Sequence, residues 1–317
     1  MRSANLLYEE FTPEICWELL PEWQDLPIMI QELSGGNTNR LYRAQSAKGD
    51  YSIRIHGEKT ELYINRDDEV QAIVRMAELG IGPKLIKYLP ERGVTIVEFI
   101  GHGITLSNAD FLNPSLYAKV MAPIRRMHQS GVRLNRLFNP QTQVHAMADL
   151  LQQRLGVHYQ EFEVDRSLER LDRLAERIAV PEDRYVACHN DLVAENFILV
   201  DEEWISHYQT PVYIIDWEYA GMSPAYYDLG DLFQEVRVPR QNEKQMIEAY
   251  CGREELEQTL YWVDLYKPFA DAYWFLWSMV QRQISAKSFD FYGYGKIKYE
   301  NMIRTFAFLT AEYGEKI

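Results

Sequence analysis

Cysteine is scarce in this chain. Cys16, Cys188 and Cys251 are odd in number and far apart, which excludes a disulfide framework or a cysteine-rich zinc site and fits a reducing compartment. No apolar run approaches the roughly 20 residues needed to span a bilayer. The first residues carry one arginine and then acids, without the apolar core of a secretory signal, so a soluble, cytoplasmic protein with no membrane insertion is expected. Basic residues are also in deficit, 33 Lys and Arg against 47 Asp and Glu, a formal charge of −14 that argues against nucleic acid as a partner. The acidity leans toward a cationic ligand, although an ordinary acidic surface accounts for it equally well. Internal repeats, low-complexity linkers, a Walker Gly-Lys-Ser/Thr loop and a full G-x-G-x-x-G are absent too. A chain of 317 residues without linkers can bury a large core and suits a two-lobed enzyme that forms one cooperative unit.

What is present concentrates between Cys188 and Asp228. Tyr185 to Cys188 has the pattern of a short apolar strand that opens into a polar turn carrying His189, Asn190 and Asp191, with Asn196 five residues beyond. Phe197 to Val200 is strand-like again. A polar hairpin-like connection then leads to Val212–Ile215, which delivers Asp216 at its end. Transfer of a γ-phosphoryl group is mostly positioning and charge neutralisation. One carboxylate orients the attacking hydroxyl, while an Asn and a second Asp hold magnesium against the phosphates. Asp191, Asn196 and Asp216 stand in that order, at the H-x-D-x-x-x-x-N spacing with a metal-binding Asp after the next hydrophobic strand. Singly, such residues cap loops and end strands; their joint order and apolar flanks point to a phosphotransferase site. His189 reads as a packed, hydrogen-bonded prop for the loop.

Ahead of this stretch, Phe11 to Leu20 reads as a helix with Thr12 as N-cap and Pro13 in its first turn. Strands are expected at Pro27–Leu33, Arg40–Gln45 and Tyr51–His56, with a turn at 34–39 whose Gly35 and Gly36 let main chain approach phosphates closely. A helix is expected from Asp67 to Leu79, with Val70, Ile73, Val74 and Ala77 on its core stripe and Glu69 as a favourable first-turn acid. Val94 to Ile100 reads as a buried strand. From Ser115 the pattern becomes helical, over 116–129, 144–159 and 165–179. Tyr273 to Ser285 reads as a helix with Trp274 and Trp277 on one face, followed by a glycine-containing loop with Phe289, Phe291, Tyr292 and Tyr294.

With these motifs in place the chain resembles the choline/ethanolamine kinase branch of the kinase-like small-molecule phosphotransferases, more distantly related to aminoglycoside phosphotransferases. His189-Asn190-Asp191 stands where protein kinases carry His-Arg-Asp, and Asp216-Trp217-Glu218 where they carry Asp-Phe-Gly. No Ala-Pro-Glu follows, and no Arg precedes Asp191 to receive an activation-loop phosphate, so a small-molecule substrate is implied. The resemblance implies an α+β, protein-kinase-like, two-lobed fold: a nucleotide-binding lobe over 1–100, with an antiparallel sheet and one main helix, and a mostly helical catalytic lobe over 101–317. It implies ATP and Mg2+ as cofactors. The loop around Gly35, Gly36 and Asn37 would cover the phosphates, Arg54 would stand at the strand position that contacts them, and Glu69 would be its helix partner. Main chain from Glu98 through Phe99 to Ile100 would receive the adenine. Asp228 would brace the catalytic loop from below.

The acceptor is read from the aromatic cluster. A quaternary ammonium has no hydrogen-bond donor, so aromatic faces and a nearby carboxylate grip it, each face giving roughly 0.5–2 kcal/mol. Trp274, Trp277, Tyr294 and Tyr219, with Glu218 and Asp191 as carboxylates, are the expected substrate-binding residues, and Trp-x-x-Trp-Ser resembles the family's choline-pocket helix. A Trp pair at helical spacing is also ordinary core packing. The expected reaction is ATP-dependent phosphorylation of choline or ethanolamine, two amino alcohols not separable by counting aromatics. An antibiotic phosphotransferase and a catalytically silent kinase-like binding protein are the alternatives. The sequence does not fix an oligomeric state.

Overall fold

The structure, a computed structural model, describes residues 6, 10–33, 39–178, 180–285 and 287–314. The turn with Gly35, Gly36 and Asn37 lies outside the described residues. Helix α1 (Pro13–Leu19) begins where Thr12 caps it, its side chain accepting from the Ile15 N–H. Strands β1 (Met29–Leu33), β2 (Arg40–Ser46), β3 (Gly49–Ile55), β4 (Leu85–Leu89) and β5 (Val94–Glu98) form an antiparallel sheet in the order β1-β2-β3-β5-β4. Alternation along β3 sends Ile53 and Ile55 to one face and Arg54 to the other. Ile53 and Ile55 pack with Cys16, Leu19, Leu20 and Trp23, so the α1 segment roofs that face.

The opposite face receives α2 (Arg66–Glu78), capped by the Asn65 side chain on the Asp67 and Asp68 N–H groups. Its buried face is Glu69, Ala72, Ile73 and Met76, not the expected stripe of Val70, Ile73, Val74 and Ala77; Val74 is exposed. The rotation has a cause. Glu69 turns inward to meet Arg54, so a charged pair rather than the apolar period sets the helix face.

Beyond β5 the chain becomes mostly helical. Strands β6 (Gly103–Thr105), β8 (Phe197–Val200) and β9 (Val212–Ile214) form a small sheet, and β7 (Val186–Cys188) pairs with β10 (Gly221–Ser223). Helices α3 (Tyr117–His128), α4 (Pro140–Asp149), α5 (Val164–Ile178), α6 (Ala225–Val236) and α7 (Arg240–Cys251) surround α8 (Leu256–Ile284) and α9 (Phe291–Tyr313). Helix α8 is 29 residues long and buried along most of its length, which makes it the central post of this lobe. It extends well before the Tyr273 start read from sequence. It passes through Pro268, which lacks the N–H that would bond Asp264 C=O. Gly230 of α6 allows close approach here: a Cβ on it would lie 3.2 Å from Lys267 N and 3.3 Å from Val263 O of α8. Phe291 to Tyr294, expected in a loop, form the first turn of α9, because Asp290 caps it through the Gly293 N–H at 2.9 Å.

The α7–α8–α9 junction holds a buried ionic cluster. Asp264, fully buried, meets Arg240 Nη1 at 2.8 Å, Lys267 Nζ at 2.9 Å and the Tyr313 hydroxyl at 2.7 Å. The two cations hold its carboxyl below the usual range against the opposing effect of burial. Removing Asp264 leaves Lys267, 8% exposed, with Glu243 as its carboxylate partner in a site nearly closed to water. Asp264→Ala is expected to lower the stability of the helical lobe by about 3–5 kcal/mol, read as a lower urea midpoint with an unchanged slope.

Candidate active site

The catalytic loop is built from its braces inward. Strand β7 ends at Cys188, and the next two N–H groups are taken by one carboxylate: His189 N donates to Asp228 Oδ2 at 3.0 Å and Asn190 N to Asp228 Oδ1 at 2.7 Å. Asp228, fully buried in the first turn of α6, also meets His128 Nε2 of α3 at 2.9 Å. One turn along α6, Asp231 accepts the Leu192 N–H at 2.7 Å, so both sides of Asp191 are pinned to the same helix. Asn190 adopts φ = 64°, a left-handed conformation that Asn tolerates better than most residues, and its Nδ2 donates to Tyr219 O at 3.0 Å. His189 Nε2 lies 2.8 Å from Ile215 O, and its ring packs edge-on against Trp217. Burial pushes the His189 pKa down, which keeps the ring neutral, as suits a prop between the loop and the end of β9.

Two oxygen donors converge beside Asp191. Asn196 Nδ2 donates to Asp191 O at 2.9 Å, which commits the amide nitrogen to main chain and leaves the oxygen for a ligand. Asp216 follows β9 at φ = 65°, strained for a non-glycine residue, with Ile215 N held by Asn196 O at 2.9 Å. A carboxylate and an amide oxygen are the hard donors that magnesium takes. Burial and the carboxylates of Asp231, Asp216, Glu235 and Glu218 push the Asp191 pKa well above the ordinary aspartate range. A cation held at Asp216 would relieve part of that repulsion.

The sheet lobe meets this loop through Arg54. Its guanidinium pairs with Glu69 of α2 and with Asp216, and lies 3.9 Å from Glu218. The structure therefore brings together Arg54, Glu69, Asp216 and Asp191's loop. Glu98, Phe99 and Ile100 run along the end of β5. His56 N bonds Gly93 O and Phe99 N bonds Asp50 O, so the Tyr51–Glu98 pair between them is a non-bonded one. Glu98 therefore points its main-chain groups away from β3, its N–H reaching Lys84 O, on the side where β4 has run out.

On the acceptor side the rings form one chain. Tyr219 meets Trp274 edge-on at 5.1 Å, Trp274 meets Trp277 at 5.4 Å, and Trp277 meets Tyr294 at 6.4 Å. Trp274 and Trp277 are 4% and 6% exposed, so both are core residues as well as wall candidates. Trp274 is further fixed by its Nε1 donation to Asp231 Oδ1 at 2.7 Å. Glu218 differs from expectation. Its carboxylate is taken by Arg66 Nη1 at 2.9 Å and Asn39 Nδ2 at 3.1 Å, away from the role of lone counter-charge to an ammonium. The carboxylate beside the ring chain is Glu235, which accepts from the Tyr294 hydroxyl at 2.9 Å and from Lys298 Nζ at 2.6 Å. Sequence reasoning missed Glu235, although Asp228, Asp231 and Glu235 fall at i, i+3 and i+7 on one face of α6. It also missed Tyr63, whose ring stacks parallel to Tyr219 at 6.4 Å.

An antiparallel sheet carrying one main helix, a braced Asp-x-x-x-x-Asn loop and an Asp at the end of the next hairpin define a kinase-fold small-molecule phosphotransferase. Within that class, the family model for choline/ethanolamine kinase matches residues 30–303, and the chain belongs to that family. It is 25% identical to a probable ethanolamine kinase of Arabidopsis thaliana, over 90% of this chain and 82% of that protein. It is 26% identical to probable choline kinase 3 of the same plant, over 90% of each. Among solved structures it is similar to the choline kinase LicA of Streptococcus pneumoniae, with a TM-score of 0.76 and 25% identity over 93% of this chain and 98% of that one. A spectinomycin phosphotransferase, 17% identical with a TM-score of 0.62 over 94% of this chain and 99% of its own, shares the fold.

Two outcomes are expected from the braces and the base. Asp228→Ala strands two main-chain N–H groups and is expected to lower kcat by about 100-fold while leaving the KM for nucleotide within about threefold; steady-state kinetics check this. The rate is expected to rise with pH as Asp191 loses its proton. The acid limb of kcat/KM for the acceptor is then expected above the ordinary aspartate value of about 4, and a pH–rate profile checks it.

Proposed function

We propose that the protein transfers the γ-phosphoryl group of ATP to the hydroxyl of choline or ethanolamine, giving the phosphorylated amino alcohol and ADP, with magnesium as the metal. The observation that carries this reading is the convergence of Asp191, Asn196, Asp216 and Arg54 beside a chain of rings with Glu235 at its edge. ATP supplies the phosphoryl group and magnesium neutralises its developing charge when both are bound. Asp191 orients the acceptor hydroxyl and takes its proton. Asn196 Oδ1 and the Asp216 carboxylate hold the metal, while Arg54, oriented by Glu69, and the Gly35-Gly36-Asn37 turn secure the phosphates. Main chain at Glu98 to Ile100 receives the base. In this reading residues 1–100 form the nucleotide lobe and 101–317 the catalytic and acceptor lobe.

Tyr219, Trp277 and Tyr294 serve as ring faces for the ammonium, with Glu235 and the ionised Asp191 as its counter-charges. Glu218 acts from behind, through Arg66 and Asn39. An amino alcohol carries one ammonium, so a pocket walled mainly by aromatic rings suits it better than the carboxylate-lined pocket that the several ammonium groups of an aminoglycoside call for. No described helix is long and apolar enough to cross a membrane, and the described cysteines are unpaired, which supports a cytoplasmic enzyme supplied with ATP.

ADP release with magnesium-ATP against choline, ethanolamine, thiamine and kanamycin tests the reading. Turnover is expected with choline or ethanolamine, abolished in Asp191→Ala while nucleotide binding persists. Trp277→Ala and Glu235→Gln are each expected to raise the acceptor KM by about tenfold, a loss of about 1.4 kcal/mol. Turnover with kanamycin alone would keep the phosphoryl chemistry and overturn the acceptor.

A further inference from the structure

Two kinds of tie join the sheet lobe to the helical lobe at this site. One is Arg54, whose guanidinium serves Glu69 and Asp216 together. The other converges on Glu218, buried behind the metal turn, which accepts from Asn39 Nδ2 at 3.1 Å and Arg66 Nη1 at 2.9 Å. Asn39 stands at the start of β2 and is 2% exposed. Its Oδ1 takes the Gly57 N–H at 3.1 Å and faces Arg66 Nη2 at 3.5 Å, and its main-chain carbonyl takes Lys287 Nζ, from the α8–α9 connection, at 2.7 Å. Arg66 is equally occupied, with Glu69 Oε2 at 2.6 Å and Thr60 Oγ1 at 2.9 Å.

The two ties respond differently when the site loads. A divalent cation at Asp216 competes with Arg54 for the same carboxylate and repels its guanidinium, while phosphate oxygens attract it. Arg54 then leaves Asp216, and that cross-lobe tie opens just as the reaction needs the lobes fixed. Glu218 gives up only its 3.9 Å approach to Arg54 in this exchange and keeps its hydrogen bonds from Asn39 and Arg66. Arg66 also holds Glu69, so the helix partner of Arg54 stays oriented while Arg54 moves. The Asn39 amide donates whatever the ionisation of the groups around it.

We infer that Asn39 and Arg66 are positioning residues: a buried clasp on Glu218 that keeps the Asp216–Glu218 turn docked on the sheet lobe when Arg54 turns from Asp216 to the phosphates. The inference rests on the phosphotransferase reading above and assigns a function to two side chains which that chemistry leaves idle. It also explains why Glu218 is withdrawn from the acceptor: the carboxylate is a handle for the opposite lobe. Through Asn39 O and Lys287, the clasp reaches the turn that leads into α9 and Tyr294.

Hydrogen exchange of main chain 212–220 in the full-length protein, with and without magnesium plus a non-hydrolysable ATP analogue, tests the clasp. In Asn39→Ala, exchange of this segment is expected to rise by about tenfold or more with magnesium and analogue present, and by less than about twofold without them, where Arg54 still holds Asp216. kcat is expected to fall by about 10- to 100-fold, with analogue affinity changed by less than about threefold. A rise of equal size in both states, or in neither, overturns the inference, since a merely structural residue behaves the same in both. Asn39→Asp keeps the size of the side chain and an oxygen for the Gly57 N–H but offers Glu218 no donor, and it carries the same comparison if the alanine variant does not fold. Wild-type binding of the magnesium-bound analogue without turnover of any amino alcohol removes the acceptor reading and leaves the exchange result to decide the clasp. A wild type that binds no magnesium-nucleotide overturns both.

Discussion

The site depends on one buried carboxylate. Asp228 has no solvent to satisfy it, so it takes the two N–H groups that follow β7 and a histidine from α3. That fixes the direction in which the loop leaves the strand, and with it the place of Asp191. Asp231, one turn further, repeats the device on Leu192 and extends it to Trp274, so the base and the aromatic wall share a frame of reference. Two carboxylates on successive turns of one helix thus fix both the loop that carries Asp191 and the Trp274 ring. Asp228 is satisfied by two main-chain N–H groups and His128, and Asp231 by the Leu192 N–H, the Trp274 indole and nearby Lys298, against burial and Glu235, which push its pKa up.

The helical lobe is held by a second layer of the same physics. Asp264 with Lys267 and the half-buried Arg240, and Lys298 with Glu235 and Asp271, are charge sets whose buried members stabilise only when paired. Burial raises the Asp271 pKa to about 7 even beside Lys298, a measure of how far the lobe interior opposes isolated charge. Such sets specify how α6, α7, α8 and α9 dock in a way that apolar packing alone does not. Glu235 belongs to one of them and also bonds Tyr294, so the ring chain is continuous with the core that supports it.

Much of this was legible in the sequence. The strand–loop–strand pattern around Asp191, Asn196 and Asp216 rests on local period and spacing, and those survive folding unchanged. The face of α2 was misread because Glu69 is drawn inward by Arg54, 15 positions earlier on a different element, a contact that hydrophobic period does not encode. Glu218 was given to the acceptor because it neighbours Tyr219 in the chain, yet its partners Asn39 and Arg66 come from the other lobe. Glu235 went unnoticed although its seven-residue spacing from Asp228 was visible, because α6 entered the reading only through Asp228. The α9 turn was read as a loop since its glycines outweighed the capping Asp290.

Gly230 has a further consequence. It sits on α6 between the two braces of the catalytic loop and touches the main chain of α8, the helix that carries both indoles. The contact acts as a gauge block: the closeness of two backbones sets the span between the helix that pins the Asp191 loop and the helix that carries Trp274 and Trp277. A single added methyl would force the helices apart by a few tenths of an ångström. On the proposed reading, that span sets the size of acceptor through the absence of a side chain, at a position buried between two helices.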